Sequence, residues 1–577
     1  MQIKKLIWLS EKRSQAAFLL FAVIATTSAA SCAEATNAEV RDALRARIQR
    51  LNETKWLDIE GAPIAARHLI SAFYLKRDFT PAWTDRKANA IALLDLIGRS
   101  RDEGLDPVDY HHGPLRRLLG TWVEGQARSA ETRADTDILL TDALIRYQNH
   151  LRFGKVNPEQ LDPNWNFGPR FDDIDPTGTI TAAIEAESLP AFLAGNVPYL
   201  RYYRDLKQAL ERYREIQAKG GWPTIPQGPA LEPGVDDARV AVLRKRLGIT
   251  GDLTTGDLDA TQFDRLLEQA VRRFQQRHGL NADGVVGTKT LRAMNVPVED
   301  RIDQIRVNLE RARWVAHDIP DTYVVVDIAG FRAQLVRDGS EVWNERVVVG
   351  RPYRKTPVFR ADMTYLELNP TWTIPPTILK QDVLPKLKTD PDYLTEQNIR
   401  VLDHQGQSVD VNTIDWSDFP QAPFPYLLRQ DPGPGNALGR IKFMFPNSHL
   451  VYLHDTPSKE LFGRTRRAFS SGCIRVENPL DLAQLLLNDP ERWSRKGIEA
   501  AIESGATRTV SLPNPVPVLL LYWTVDIDKD GTVLFRPDVY GRDKKVLEGL
   551  KSRFSSPTPA PPTGNDSHLP GTTSLTQ

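Results

Sequence analysis

The chain has 577 residues, and its 74 Lys and Arg cancel its 74 Asp and Glu to a formal net charge of +0. Nucleic-acid binding is driven by an excess of basic charge, so this balance argues against it, while 41% hydrophobic and 26% charged residues describe a globular protein of about three or four domains. Two cysteines, Cys32 and Cys473, build neither a disulfide framework nor a four-cysteine zinc site.

In chain order, Lys4, Lys5, Lys12 and Arg13 precede an apolar run from Ala16 to Ala25 and small residues from Thr26 to Ala33, the layout of an export signal. The apolar run is shorter than the about 20 residues of a spanning helix. Residues 1–33 therefore read as a signal peptide or anchor, with cleavage after Ala30 or Ala33, retention as an anchor, and lipidation at Cys32 all open. Any membrane contact is expected through this segment. In the exported chain Cys473 is then the remaining thiol, either a buried small hydrophobe or a reactive group.

Residues 34–232 read as helical: Val40, Leu44, Ile48 and Leu51 share one face, and Leu140, Leu144, Tyr147 and Leu151 repeat the spacing. His111 and His112 are expected to be solvated neighbours rather than a metal site. Gly220 to Gly234 is rich in Pro and Gly and reads as a linker. Residues 233–298 then form a compact unit with helices marked by Val240, Leu243 and Leu247, by Phe263, Leu267, Ala270 and Phe274, and by Leu291 and Met294. Its Phe274-Gln275, Gly279-Leu280, Asp283-Gly284 and Gly287-Thr288 pairs resemble the signature of the three-helix peptidoglycan-binding module. A spacer that keeps the module's fold without glycan contact is the other reading.

Beyond Pro297 the periodicity is expected to change from helix to strand, with Tyr323 to Ile328 followed by a hairpin through Asp338-Gly339, and further strands at Met363 to Leu368, Ile441 to Phe445 and Leu450 to His454. A long insertion at 375–437 interrupts these strands, and insertions of this length are often lids. It is expected to cap the Cys473 cleft, with Trp416, Phe419, Phe424 and Tyr426 lining a groove. The Ser/Thr/Pro/Gly-rich tail at 553–577 reads as disordered.

Around Cys473 the residue types converge on one chemistry. Tyr452-Leu453-His454 leaves a strand, and Ser470-Ser471-Gly472-Cys473-Ile474-Arg475 follows. A cysteine nucleophile needs a base, oxyanion donors and access. His454 can be the base, in a thiolate–imidazolium pair if the side chains approach. The N–H groups of Gly472 and Cys473 can converge on an oxyanion, and Arg475 suits a substrate carboxylate.

These residues closely resemble the YkuD-type L,D-transpeptidases, in which a histidine is followed by a small hydroxyl residue, a histidine, glycine, the nucleophilic cysteine, a hydrophobic residue and arginine. Ser471 stands where many members have histidine; Ser470, Gly472, Cys473, Arg475 and His454 match. With the helical region, the module and the insertion, the resemblance is to the large Gram-negative peptidoglycan cross-linking kind. It implies a multidomain α+β protein: a helical scaffold domain, the three-helix module, and a mainly β catalytic domain at 299–374 and 438–552 with the cap inserted. It further implies a periplasmic cysteine acyltransferase that needs no cofactor or metal and forms 3-3 cross-links between peptidoglycan stem peptides. Tyr452, Ser470, Ser471 and Arg475 are the expected substrate-binding residues, and other cell-wall synthesis enzymes are candidate partners. An L,D-carboxypeptidase that uses water as acceptor, and a noncatalytic peptidoglycan-binding scaffold, are the alternatives.

Overall fold

The computed structural model describes residues 34–163, 165–167, 175–390, 392–416, 419 and 424–553. The expected export signal with Cys32 and the tail from 554 lie outside the described residues. Among the described residues no helix is long and apolar enough to cross a membrane.

The N-terminal region is helical, as expected. Helices α1 (Asn37–Thr54) and α2 (Ala130–Phe153) pack side by side, and Val40, Leu44, Ile48 and Leu51 are the buried face of α1. A Thr36–Glu39 capping box starts that helix by satisfying orphan N–H groups. His111 corrects its solvated placement: it takes a left-handed φ of 59° and is buried against Asp142 at 2.6 Å. Asp142 in turn accepts the N–H groups of Ala65 and Ala66. A charged partner and two backbone donors make burial of this polar pair tolerable.

The three-helix unit forms from α3 (Ala238–Ile249), α4 (Arg265–Arg277) and α5 (Thr288–Met294), with Phe263 in the core but ahead of α4 rather than on it. Its signature is internal. The side chain of Gln275, buried on α4, donates to Asp283, Val285 O and Thr290, and accepts the Gly284 N–H at 2.9 Å. Gly284 has a φ of 80°, a left-handed turn that glycine takes without strain. The motif thus specifies the module's fold and carries no information about glycan contact. Gln275→Leu would strand the Gly284 N–H and the Val285 carbonyl, an expected loss of about 2–3 kcal/mol read as a lower midpoint in urea unfolding. The presumed linker is part of this unit: Ile225 is in its core, and Trp222 lies 3.8 Å under the Arg246 guanidinium.

The expected change from helix to strand at Pro297 comes later. Pro297 instead opens helix α6 (Val298–Val315), with Glu299 and Asp300 in its first turn, where acidic side chains favour the helix dipole. Ile302, Ile305, Leu309 and Ala312 line a helical face that packs on Tyr203, Leu206 and Leu210 of the N-terminal region and on the hairpin strands Val525–Ile527 and Val533–Phe535. Arg313, fully buried and paired with Glu310 on its own helix, ties α6 to the same region through the Glu103 carbonyl and the Tyr203 hydroxyl.

The β unit begins at β1 (Tyr323–Asp327), β2 (Arg332–Arg337), β3 (Ser340–Gly350) and β4 (Phe359–Leu368), with Asp338 and Gly339 at positive φ in the β2–β3 turn. After the insertion come β5 (Ile441–Met444), β6 (Leu453–His454), β7 (Ala468–Ser470), β8 (Ile474–Val476) and β9 (Arg508–Leu521). The sheet order is β7-β3-β8-β6-β5-β4-β9-β1-β2, and pairing of β2 with β3 closes it on itself. Strand β9 escapes sequence periodicity because Pro513, Pro515 and Pro517 interrupt it. Its pairing with β4 shifts register between Ser511 and Val516, where the missing proline N–H groups cannot join the ladder.

The insertion is a subdomain that starts earlier than expected: Trp372–Thr373 joins Ile399–Leu402 and Leu427–Gln430 in its three-stranded sheet, and Ile374 joins Leu379, Val383, Leu384, Leu394 and Leu428 in its core. Phe419 is buried in this core, and Trp416, Phe424 and Tyr426 pack against it. These aromatics therefore hold the cap together rather than line a groove, because so small a unit needs them for its own apolar burial.

Candidate active site

The register of three strands puts the expected side chains on one face of the sheet. Strands β6 and β8 are parallel, with Leu453 opposite Ile474 and His454 opposite Arg475. Leu453 and Ile474 are fully buried, so the alternate positions Tyr452, His454, Cys473 and Arg475 point to the opposite face. Antiparallel pairing of β5 adds Lys442 directly across from His454. The Lys442 ammonium lies 4.7 Å from the Tyr452 ring centroid and 3.2 Å from Glu367.

The nucleophile loop is held from two sides. Ser470, buried, donates its hydroxyl to the Cys473 carbonyl at 2.6 Å and accepts the Gly472 N–H at 3.2 Å. Ser470 is therefore a clasp of the turn. The same bond corrects the expected pair of oxyanion donors: Gly472 N–H is already committed, whereas the Cys473 N–H has no hydrogen-bond partner among the described residues. Gly472 itself has a φ of 126°, open to glycine. Behind the loop, Thr356 donates its hydroxyl to Gly472 O at 2.8 Å and accepts the Gly350 N–H, while the Tyr540 hydroxyl donates to Gly350 O at 2.7 Å. Ser471 is exposed, and its hydroxyl accepts from Arg354 at 2.8 Å.

His454 is buried, and its Nδ1–H donates to the Asp455 carbonyl. That bond fixes the tautomer and leaves Nε2 as the proton-accepting nitrogen. The Tyr452 and His454 rings meet edge to face at 5.7 Å. The Cys473 thiol is directed at the Leu450 carbonyl, 3.7 Å away. Arg475, in contrast, forms no hydrogen bond or ion pair among the described residues, and its Nε is buried without a partner.

Residues 321–512 match the family model described as YkuD, the L,D-transpeptidase catalytic domain. Residues 236–294 match the "Putative peptidoglycan binding domain" model, and residues 68–210 match the scaffold domain model.

The chain carries a YkuD-family L,D-transpeptidase catalytic domain.

It is similar to a Haemophilus influenzae protein named "Putative L,D-transpeptidase", at 39% identity over 251 residues, which are 43% of this chain and 50% of that protein. The chain thus spans about half the length of this relative. A shorter stretch of 80 residues, 12% of this chain and 20% of the relative, is 44% identical to the N-acetylmuramoyl-L-alanine amidase CwlM of Mycobacterium tuberculosis. Among solved structures, an L,D-transpeptidase of Stackebrandtia nassauensis is similar at 15% identity and a TM-score of 0.20, covering 52% of this chain and 96% of its own. One from Xylanimonas cellulosilytica has 18% identity and a TM-score of 0.17, covering 51% and 100%.

The electrostatics of this L,D-transpeptidase domain correct the ion-pair expectation. Burial pushes the Cys473 thiol up, against the opposing pull of Tyr452, Lys442 and Arg475. Burial, then the Arg475 and Lys442 charges, bring His454 down to about 3. Both groups are therefore neutral at rest, since a low-dielectric site beside two cations disfavours an imidazolium. The sign fixes a pH dependence. A base whose pKa is about 3 keeps its lone pair throughout the mildly acidic range, so acylation of the enzyme by a β-lactam should stay level from about pH 8 to pH 5. A stopped-flow pH profile with a step near 6.5, the ordinary histidine value, would instead mean that His454 titrates freely.

Lys442, Arg354 and Tyr540 escaped sequence reasoning. Lys442 carried a faint signal as the polar residue among alternating Ile441, Phe443 and Phe445. Arg354 and Tyr540 carried none, because their partners are distant along the chain.

Proposed function

We propose that the protein is an L,D-transpeptidase that forms 3-3 peptidoglycan cross-links through a thioester on Cys473. The observation that carries this reading is the grouping of Cys473, neutral His454 and unpaired Arg475 on one sheet face. Arg475 awaits an anion, and a stem-peptide carboxylate supplies one. Cys473 Sγ attacks the carbonyl of the third stem residue as His454 Nε2 takes the thiol proton. The developing oxyanion is met by the Cys473 N–H and by the hydroxyl of Tyr452, which lies against the sulfur and is kept protonated by burial. His454 returns the proton to the departing amine of the terminal D-alanine. The side-chain amine of a second stem then attacks the thioester, His454 relays its proton to the sulfur, and the thiol is regenerated.

The match of residues 236–294 to the peptidoglycan-binding domain model supports the same substrate, and a peptidoglycan substrate implies a place outside the cytoplasm, in the periplasm. Incubation of the mature protein with a purified disaccharide tetrapeptide tests the reading by mass. A cross-linked dimer together with free D-alanine is the expected product; tripeptide alone would make the enzyme an L,D-carboxypeptidase, and unchanged substrate would leave only a binding role.

A further inference from the structure

We propose that Arg354 is a positioning residue that clamps the inserted cap to the nucleophile loop and thereby favours the amine acceptor over water; the acceptor part of this inference rests on the transpeptidase reading above. Arg354 lies in the loop between β3 and β4. Its guanidinium Nη1 donates to Asp382 at 2.5 Å and to Ser471 at 2.8 Å, and its Nη2 donates to Gln381 at 2.5 Å. One side chain therefore bridges the cap and the residue two before Cys473.

Both ends of the bridge are rigid. On the catalytic side, Arg354 N–H donates to Arg351 O, Arg351 N–H donates to Ser470 O at 3.0 Å, and Thr356 holds Gly472 O. A Cβ on Gly350 would meet the Arg354 carbonyl at 2.1 Å, so the backbone of this loop is closely folded on itself. On the cap side, Gln381 and Asp382 belong to a π-helical turn, Leu379–Val383, whose two end residues are buried in the cap core. Such turns place side chains that a regular helix would point elsewhere. Leu379 and Val383 oblige Gln381 and Asp382 to move with the cap, so the cap cannot lift from the nucleophile loop without breaking the two bonds from Arg354 to Asp382 and Gln381, while the bond to Ser471 holds the guanidinium on the catalytic side. The guanidinium fork suits this task because it serves several oxygens in one plane, and its side chain is only 9% exposed, which limits solvent screening. Ser471 presents its hydroxyl to the guanidinium at this position.

A cap held against the nucleophile loop would shield the thioester from water. Loss of the clamp should leave the first acylation step in place and shift the fate of the thioester. Full-length wild type, Arg354→Met and Asp382→Asn are compared with disaccharide tetrapeptide as both donor and acceptor, counting cross-linked dimer against hydrolysed tripeptide. Both variants are expected to form the carbapenem adduct at a rate within about threefold of wild type, and to lower the dimer-to-tripeptide ratio by about 3- to 10-fold. The double variant should fall little further than Arg354→Met, because the two residues act through one contact. Hydrogen exchange on the same proteins, expected to be faster at residues 379–383 in both variants, reads the clamp whether the acceptor is an amine or water. Unchanged exchange in both variants would overturn the clamp. Faster exchange with an unchanged product ratio would overturn its role in acceptor choice, as would an adduct rate that falls in step with transfer. A wild type that makes no dimer would refute the transpeptidase reading separately, and with it the acceptor role, while exchange still decides the clamp.

Discussion

Cys473→Ala should abolish formation of a covalent carbapenem adduct and lower turnover of a tetrapeptide substrate by about 10⁴-fold or more. Cys473 is the single cysteine after residue 33, so a mass increment on wild-type protein that begins at residue 34 has one thiol to occupy. Removing the sulfur takes away the bond-forming atom and leaves the loop intact, because the loop's hydrogen bonds run through the Cys473 carbonyl, Ser470 and Gly472 rather than through the thiol. The variant should therefore fold with an unchanged circular dichroism spectrum. An adduct of undiminished yield on Cys473→Ala would move the nucleophile elsewhere and remove the basis of the thioester mechanism.

His454→Ala is expected to slow acylation by about 10²-fold or more at neutral pH. The resting thiol is neutral and its pKa is raised by burial, so without Nε2 the fraction of thiolate is small and nothing nearby accepts the proton. Lys442 and Arg475 cannot substitute, since both are cations and donors. Because the missing function is proton acceptance, the defect should shrink as the pH rises toward the thiol pKa and thiolate forms without help. Measuring adduct formation from pH 7 to pH 10 checks this. A defect that stays constant over that range would assign His454 to packing rather than to base catalysis, and near-normal rates at pH 7 would place the base on another residue.

Legibility followed sequence distance. The Asp338-Gly339 hairpin and the three-helix unit could be read because neighbouring residues set their turns and faces. Strand β9 could not, because its three prolines hide a long strand whose ladder is simply offset around them. Helix α6 was missed because the change to strand was set at Pro297, whereas the first strand begins only at Tyr323 and a proline is well tolerated where a helix opens. His111 was misplaced for a related reason: its partner Asp142 is 31 residues away, and no local pattern announces that pair.

The sequence by itself determined which atoms can do the chemistry. A lone thiol after Ser-Ser-Gly, a histidine at a strand end and an arginine two residues beyond the thiol are local, and strand alternation alone aligns Tyr452 with His454 and Cys473 with Arg475. Only the tertiary structure decided their state. Burial beside Lys442 and Arg475 makes the resting pair neutral rather than ionic, Ser470 withdraws the Gly472 N–H from the oxyanion, and Arg354 joins the cap to Ser471 across residues far apart in the chain. Dielectric surroundings and hydrogen-bond partners are sums over all neighbours in space, most of them distant in sequence, whereas residue type and strand periodicity are written along the chain itself.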